Sequence, residues 1–232
     1  MNAPSDAAAR ATADDIRVRQ QRLTSNAATT SGGTDPAFAP ERERFGAYTH
    51  REIWDLVHEA LDPAALGAVA TGWESNAVAL AEAFQTFSDA ANREFARWSG
   101  RSADAAHEAT RAFVRAGTEA HEVCRTVQRL MELNCEAAQT IRAAIPAPKE
   151  YRPLDDPAAE AVHGGQRRME HDIAAAASQA DVQDTMTYVY TPTMPASGDR
   201  VPRFTPPPDG PSATSADGTP GRPTSVGGGG AR

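Results

Sequence analysis

Large apolar side chains are scarce in this sequence: Leu, Ile, Val and Phe together number 32 in 232 residues. A share below about 20% leaves too little bulk for an even core, and 17 Gly with 17 Pro argue against one compact domain of this length. No apolar run approaches the roughly 18 residues of a membrane-spanning helix, which excludes an integral helical membrane protein. Met1–Asp6 has neither a basic segment nor an apolar stretch, so a cleaved secretory signal is not expected. Basic charge is also lacking. The net charge is −8, and no segment has the positive footprint of a nucleic-acid binder. Only two cysteines occur, Cys124 and Cys135. Eleven positions apart on one helix they are separated by about 16 Å along the axis, too far for a disulfide.

What is abundant is alanine, 47 residues, and the few large apolar residues are unevenly placed. Residues 49–145 hold 19 of the 32, and all three Trp. Pro63 and Pro146 bracket a stretch without proline, as helix interiors require. A first long helix is predicted from Asp62-Pro63, an N-cap acceptor followed by proline at the first helical position. Leu66, Val69, Trp73, Ala77, Leu80, Phe84, Phe87, Ala91, Phe95 and Trp98 recur at spacings of three and four, one continuous stripe. A second helix is predicted over about Ser102 to Ile145, with heptad spacing through Phe113, Gly117, Cys124, Val127, Met131 and Ile141. Beside it runs a second line, Ala109, Ala116, Val123, Leu130 and Ala137. The helices would be about 50 and 65 Å long.

The expected fold is therefore all-α, a long antiparallel helical hairpin with short accessory helices and disordered termini. A two-helix hairpin buries only one seam, so a partner hairpin is expected to complete a four-helix bundle. Its predicted partner-binding face is Trp73, Leu80, Phe84, Phe87, Phe113, Val127, Leu130 and Met131. The organisation reads as a mostly disordered arm over 1–48, with at most a short helix around Ala7 to Leu23; a helical domain over 49–155, opened by the capping box Thr49–Glu52; a weak helical segment over 156–190, begun at Asp156-Pro157 and interrupted at Gly164-Gly165; and a disordered Pro/Gly-rich tail over 191–232.

Enzyme signatures are missing. There is no Gly-x-Ser-x-Gly elbow and no phosphate loop, and none of His58-Glu59, His107-Glu108 and His121-Glu122 continues into a zincin motif. His121 and Cys124 lie one turn apart with Cys135 on the same face, but zinc needs three or four converging ligands and Cys135 is too far along the helix. No catalytic residue, metal or cofactor is expected. The informative element is Arg97-Trp98-Ser99-Gly100-Arg101-Ser102. Trp98 ends one apolar stripe, Gly100 can adopt the positive φ of a helix stop, and Ser102 can cap the next helix.

Two long helices joined by Trp98-Ser99-Gly100 resemble the WxG and PPE-like helical-hairpin proteins of actinobacterial type VII (ESX) secretion. The family's export signal, a Tyr followed four residues later by an acid just after the second helix, is matched by Tyr151 and Asp155. A second such pair, Tyr48 and Glu52, lies outside the family's position, and the Pro-Pro-Glu signature of one branch is absent. The resemblance covers about residues 49–155. It implies a non-enzymatic, exported or cell-surface protein without a cleaved signal peptide. It also implies a homo- or heterodimer with a small hairpin protein, and recognition by the secretion ATPase. The alternative is a cytosolic coiled-coil adaptor or structural interaction protein.

Overall fold

The computed structural model describes residues 6–30, 33–39 and 41–205. The expected tail beyond residue 205 lies outside the described residues. Among those described the chain is all-α, without a strand. Helices α1 (Asp6–Thr30), α2 (His50–Asp55), α3 (Pro63–Phe95), α4 (Arg101–Ala144), α5 (Pro157–Thr185) and the single turn α6 (Thr191–Thr193) follow in order. Wider π turns extend α2 over Leu56–Ala60 and join α5 to α6 over Met186–Tyr190.

Local chemistry starts several of these helices where the sequence predicts. Asp62 accepts from the Ala64 amide at 2.8 Å, with Pro63 in the first turn. Asp156 does the same for Ala158 at 2.9 Å before Pro157. Thr49 and Glu52 form a complete reciprocal capping box, which leaves Glu52 below the usual carboxylate range because the Thr49 amide and then its hydroxyl donate to it. The next helix start differs. Gly100, at φ +90°, is the residue before α4, no side chain caps it, and Ser102 lies inside the helix.

Helices α3 and α4 run antiparallel. Cys135 Sγ donates to the Pro63 carbonyl at 3.2 Å, His121 Nδ1 meets the Ala77 carbonyl at 2.9 Å, and the Phe95 and His107 rings sit 4.9 Å apart. Position along α3 therefore rises as position along α4 falls. Buried Gly117 lets α4 approach the Phe84 ring directly, since a Cβ there would lie 2.3 Å from it. Phe84 in turn packs on Phe113 at 5.2 Å between ring centroids, and Phe87 on Phe113 at 5.3 Å.

The N-terminal segment departs from the expected arm. Helix α1 spans 25 residues and buries Ala9, Ala13, Ile16, Gln20, Thr24 and Ala27, a stripe at spacings of three and four. Ile16 packs with Leu133 and Ala137 of α4. Gln20 donates to Asn134 Oδ1 at 3.1 Å and to the Thr193 carbonyl at 3.0 Å, and Arg19 pairs with Glu136 at 2.6 Å. Small residues let the backbones approach, and the buried amide pair sets the register of α1 on α4. Nor does α5 break at Gly164-Gly165: it runs unbroken through both. Residues expected to begin the tail are also packed, with Thr193 fully buried and Ser197 nearly so.

These flanking segments build a core of the chain's own. Ala9, Ala13, Phe45, Val182, Met186 and Val189 cluster with Ile53, Val57, Ile141, Ala144 and Ile145 at the end of the α3/α4 pair remote from its turn. Each fully buried Ile or Val there contributes about 1.5–3 kcal/mol. Arg142 ties α2 to this base, its guanidinium donating to the carbonyls of Val57, His58 and Leu61 at 2.9, 3.1 and 2.7 Å. Residues 33–38 and 198–203 are linked by backbone bonds, including Asp35 N to the Val201 carbonyl at 2.8 Å and Arg203 N to the Gly33 carbonyl at 2.9 Å. Beyond this base α3 and the first half of α4 project as a two-helix arm.

Candidate functional site: the Trp98 turn and the Tyr151 strap

The arm ends in the Trp98-Ser99-Gly100 turn. The Trp98 amide closes on the Phe95 carbonyl at 2.9 Å and the Asp104 amide reaches the Gly100 carbonyl at 3.1 Å. Between these bonds Gly100 takes φ +90° and ψ −179°, a region open essentially to glycine alone. The Trp98 ring touches Phe95 at 5.2 Å yet remains 56% exposed. The turn thus holds a large aromatic ring in solvent at the tip.

At the other end α4 stops at Ala144 and the chain continues as an extended strap to residue 156. Side chains of α5 and of the α2 region hold its backbone. His58 Nε2 meets the Ile145 carbonyl at 3.1 Å, His50 Nε2 the Pro146 carbonyl at 2.8 Å, and His171 Nε2 the Lys149 carbonyl at 3.1 Å. A carbonyl only accepts, so each of these ring nitrogens carries its proton. Arg167 donates to the Arg152 carbonyl at 3.4 Å. A cleft of about 340 Å³ beside the strap is lined by His50, Lys149, His171 and Ser178, among others.

Tyr151 lies at the centre of this attachment, half-buried. Its hydroxyl donates to Glu160 Oε1 at 2.8 Å. Its ring meets His171 edge-on at 5.6 Å, with the Arg167 and Arg168 guanidiniums 5.7 and 5.5 Å from its centroid. Glu160 is the hub. Its other oxygen accepts from the Leu154 amide at 2.9 Å, and Arg168 and Arg167 approach at 3.1 and 3.4 Å. The Leu154 amide, then the Tyr151 hydroxyl and Arg168, hold its carboxyl down at about 2. Asp155 is exposed and is not the acid Tyr151 contacts.

The remaining predicted positions divide between interior and surface. Leu130 is 1% exposed and so unavailable to a partner, because helices of the same chain cover this part of α4. Trp73, Leu80, Phe84, Val127 and Met131 are half-buried, whereas Phe87 and Phe113 are each 41% exposed. Val69, Val78 and Trp98 add to the exposed apolar surface of the arm. His121 and Cys135 each bond a carbonyl of α3, and burial pushes the Cys124 thiol up. Among the described residues no group of three or more His, Cys, Asp or Glu is placed to hold a metal. In the second Tyr–acid pair, Tyr48 donates to Glu43 while Glu52 caps α2.

Residue spacing pointed to the turn but not to Glu160, His171 or Arg168. Their roles depend on how the strap folds back along α5. The turn and the strap are separated by the 44 residues of α4, about 65 Å at 1.5 Å per residue, so one copy of the chain keeps them apart. Among the described residues no helix is long and apolar enough to cross a membrane. Comparison with protein-family models, curated proteins and solved structures finds no match.

Proposed function

We propose that this chain is a non-enzymatic type VII (ESX) secretion-associated protein, an exported substrate whose helical hairpin docks with a partner hairpin. The observation that carries the reading is the α3/α4 pair joined by Trp98-Ser99-Gly100, with Gly100 at φ +90° and Trp98 presented to solvent. In this reading the exposed apolar residues of the arm, Val69, Val78, Phe87 and Phe113, complete a four-helix bundle against a second copy or a small hairpin protein. Tyr151 and Asp155 act as the export signal read by the secretion ATPase. Since about 65 Å of α4 separates turn from signal, a surface using both is assembled from two molecules, the turn of one meeting the strap of the other.

Export from an actinobacterial host carrying a type VII system tests this directly. Trp98→Ala or Tyr151→Ala is expected to retain the folded protein in the cells, and unchanged export of either variant would sink the reading. Light scattering after size exclusion, alone and with a co-encoded hairpin protein, distinguishes a homodimer from a heterodimer. One observation favours a second reading, a cytosolic coiled-coil adaptor: Tyr151 is engaged within its own chain by Glu160. That protein would stay in the cell fraction whatever residue stands at 151.

A further inference from the structure

The strap that carries Tyr151 is pinned to its own chain along its length. Three histidines hold the carbonyls of Ile145, Pro146 and Lys149, Arg167 holds that of Arg152, and Glu160 takes both the Tyr151 hydroxyl and the Leu154 amide. Glu160 joins the Tyr151 side chain to the strap backbone through one carboxylate that is 13% exposed, beside the edge-on His171 ring and a longer bond from the Tyr151 hydroxyl to the Gly164 carbonyl at 3.4 Å. An extended peptide read by another protein offers its backbone and alternate side chains to the reader. In this strap the Tyr151 side chain and the backbone at Lys149, Arg152 and Leu154 are already occupied, while the Asp155 side chain stays exposed.

We infer that Glu160 is the latch of an autoinhibitory contact, masking Tyr151 and the backbone of the segment that follows it until the strap is lifted from α5. The inference rests on reading Tyr151 and Asp155 as the export signal, and it adds a regulation: the folded chain keeps that signal closed, and recognition requires release from Glu160. Two substitutions act on the latch by different routes. Glu160→Gln removes the charge that holds Arg167 and Arg168, and leaves one acceptor oxygen where Tyr151 and Leu154 each use one. Gly164→Ala acts sterically, because a Cβ there would lie 2.3 Å from Glu160 Oε1 and 2.6 Å from its Cδ. Alanine also favours helix over glycine, so the second variant retains α5 while displacing the carboxylate.

The sequence supplies a selective probe. Lys149 is the single lysine of the chain and sits in the strap, its carbonyl held by His171. Lysyl endopeptidase therefore has one site, and cutting there requires the strap backbone to detach from His171 and α5 so that the protease can bind it. With full-length protein, both variants are expected to raise the rate of cleavage after Lys149 about tenfold, the scale of losing a charge-assisted hydrogen bond. The circular dichroism spectrum should remain helical. In the secreting host both should also raise the exported fraction, while Tyr151→Ala abolishes export. An unchanged cleavage rate in Gly164→Ala, or in folded Glu160→Gln, overturns the latch. Faster cleavage without increased export, in a host where Tyr151→Ala does block export, overturns the masking alone. Export indifferent to Tyr151→Ala overturns the signal reading and the masking with it.

Discussion

Gly117→Ala is the substitution for which helix propensity and packing disagree most sharply. Gly117 lies in the middle of α4, where alanine should stabilise the helix by about 1 kcal/mol. The added Cβ, however, would stand 2.3, 2.4 and 2.4 Å from Cδ1, Cε1 and Cγ of Phe84. Ordinary carbon contacts lie near 3.5–4.0 Å, so the whole ring must withdraw by more than an ångström, not just its outer edge. Phe113 stands 5.2 Å away by ring centroid and is itself packed against Phe87, so that withdrawal disturbs the aromatic cluster of the arm. Overpacking of this kind costs about 1–3 kcal/mol and sometimes more. The net expectation is destabilisation of up to about 2 kcal/mol after the propensity gain, a fall in Tm of up to about 8 °C for a chain of this size. Thermal unfolding at 222 nm measures it. The same substitution placed on Phe84→Ala should be neutral or stabilising, because the obstructing ring is gone. A raised Tm in the wild-type background, or equal effects with and without Phe84, would refute the argument that Gly117 is kept by the ring.

Three further outcomes follow from other parts of the molecule. Gly100→Ala forces a Cβ onto φ +90°, ψ −179° and should cost about 1–3 kcal/mol; Gly100→Asn should not rescue it, since this backbone is not left-handed helical, and thermal melts of both variants check the point. Gln20→Ala leaves Asn134 Oδ1 and the Thr193 carbonyl without their donor at a cost of about 1–3 kcal/mol, and hydrogen exchange should show faster exchange concentrated in α1. Glu160 has its carboxyl at about 2 in the folded chain against an ordinary 4.5. Its hold on the strap is therefore complete above the ordinary value and is lost progressively as pH falls from there toward 2. The Leu154 amide should lose protection across that window in wild type, and a Glu160→Gln chain that already shows low, pH-independent protection serves as the control. Loss of protection at the same pH in both chains would assign it to other carboxylates.

The long helices were legible because their determinants are local or periodic. The Leu66-to-Phe95 stripe, Pro63 behind Asp62, and Thr49 with Glu52 each act within a turn or two of one helix, and tertiary contacts only reinforce them. Gly100 was legible for a similar reason: a glycine between two helical runs marks a positive φ whatever lies around it. Helix α1 was not, since its buried stripe is Ala9, Ala13, Ile16, Gln20, Thr24 and Ala27. Without α4 beside it that stripe offers a single large apolar residue. Gly164-Gly165 misled because the cost of glycine in a helix is small compared with what tertiary contacts supply; here Gly164 lies under the Glu160 side chain.

The sequence alone thus determined the all-α character of the described residues, the starts of α3 and α5, and a Trp-x-Gly turn between α3 and α4, because capping, proline placement and apolar period are properties of neighbouring residues. Tertiary structure decided that the flanks fold back to form a core at the base, that Leu130 faces the interior, and that Tyr151 meets Glu160 of α5. Those outcomes depend on contacts between residues far apart along the chain or on the path of an extended strap, and neither composition nor spacing carries that information. The scarcity of large apolar residues takes its meaning there: alanines let α1 lie close on α4, and the few large side chains need only fill the base and one seam of the arm.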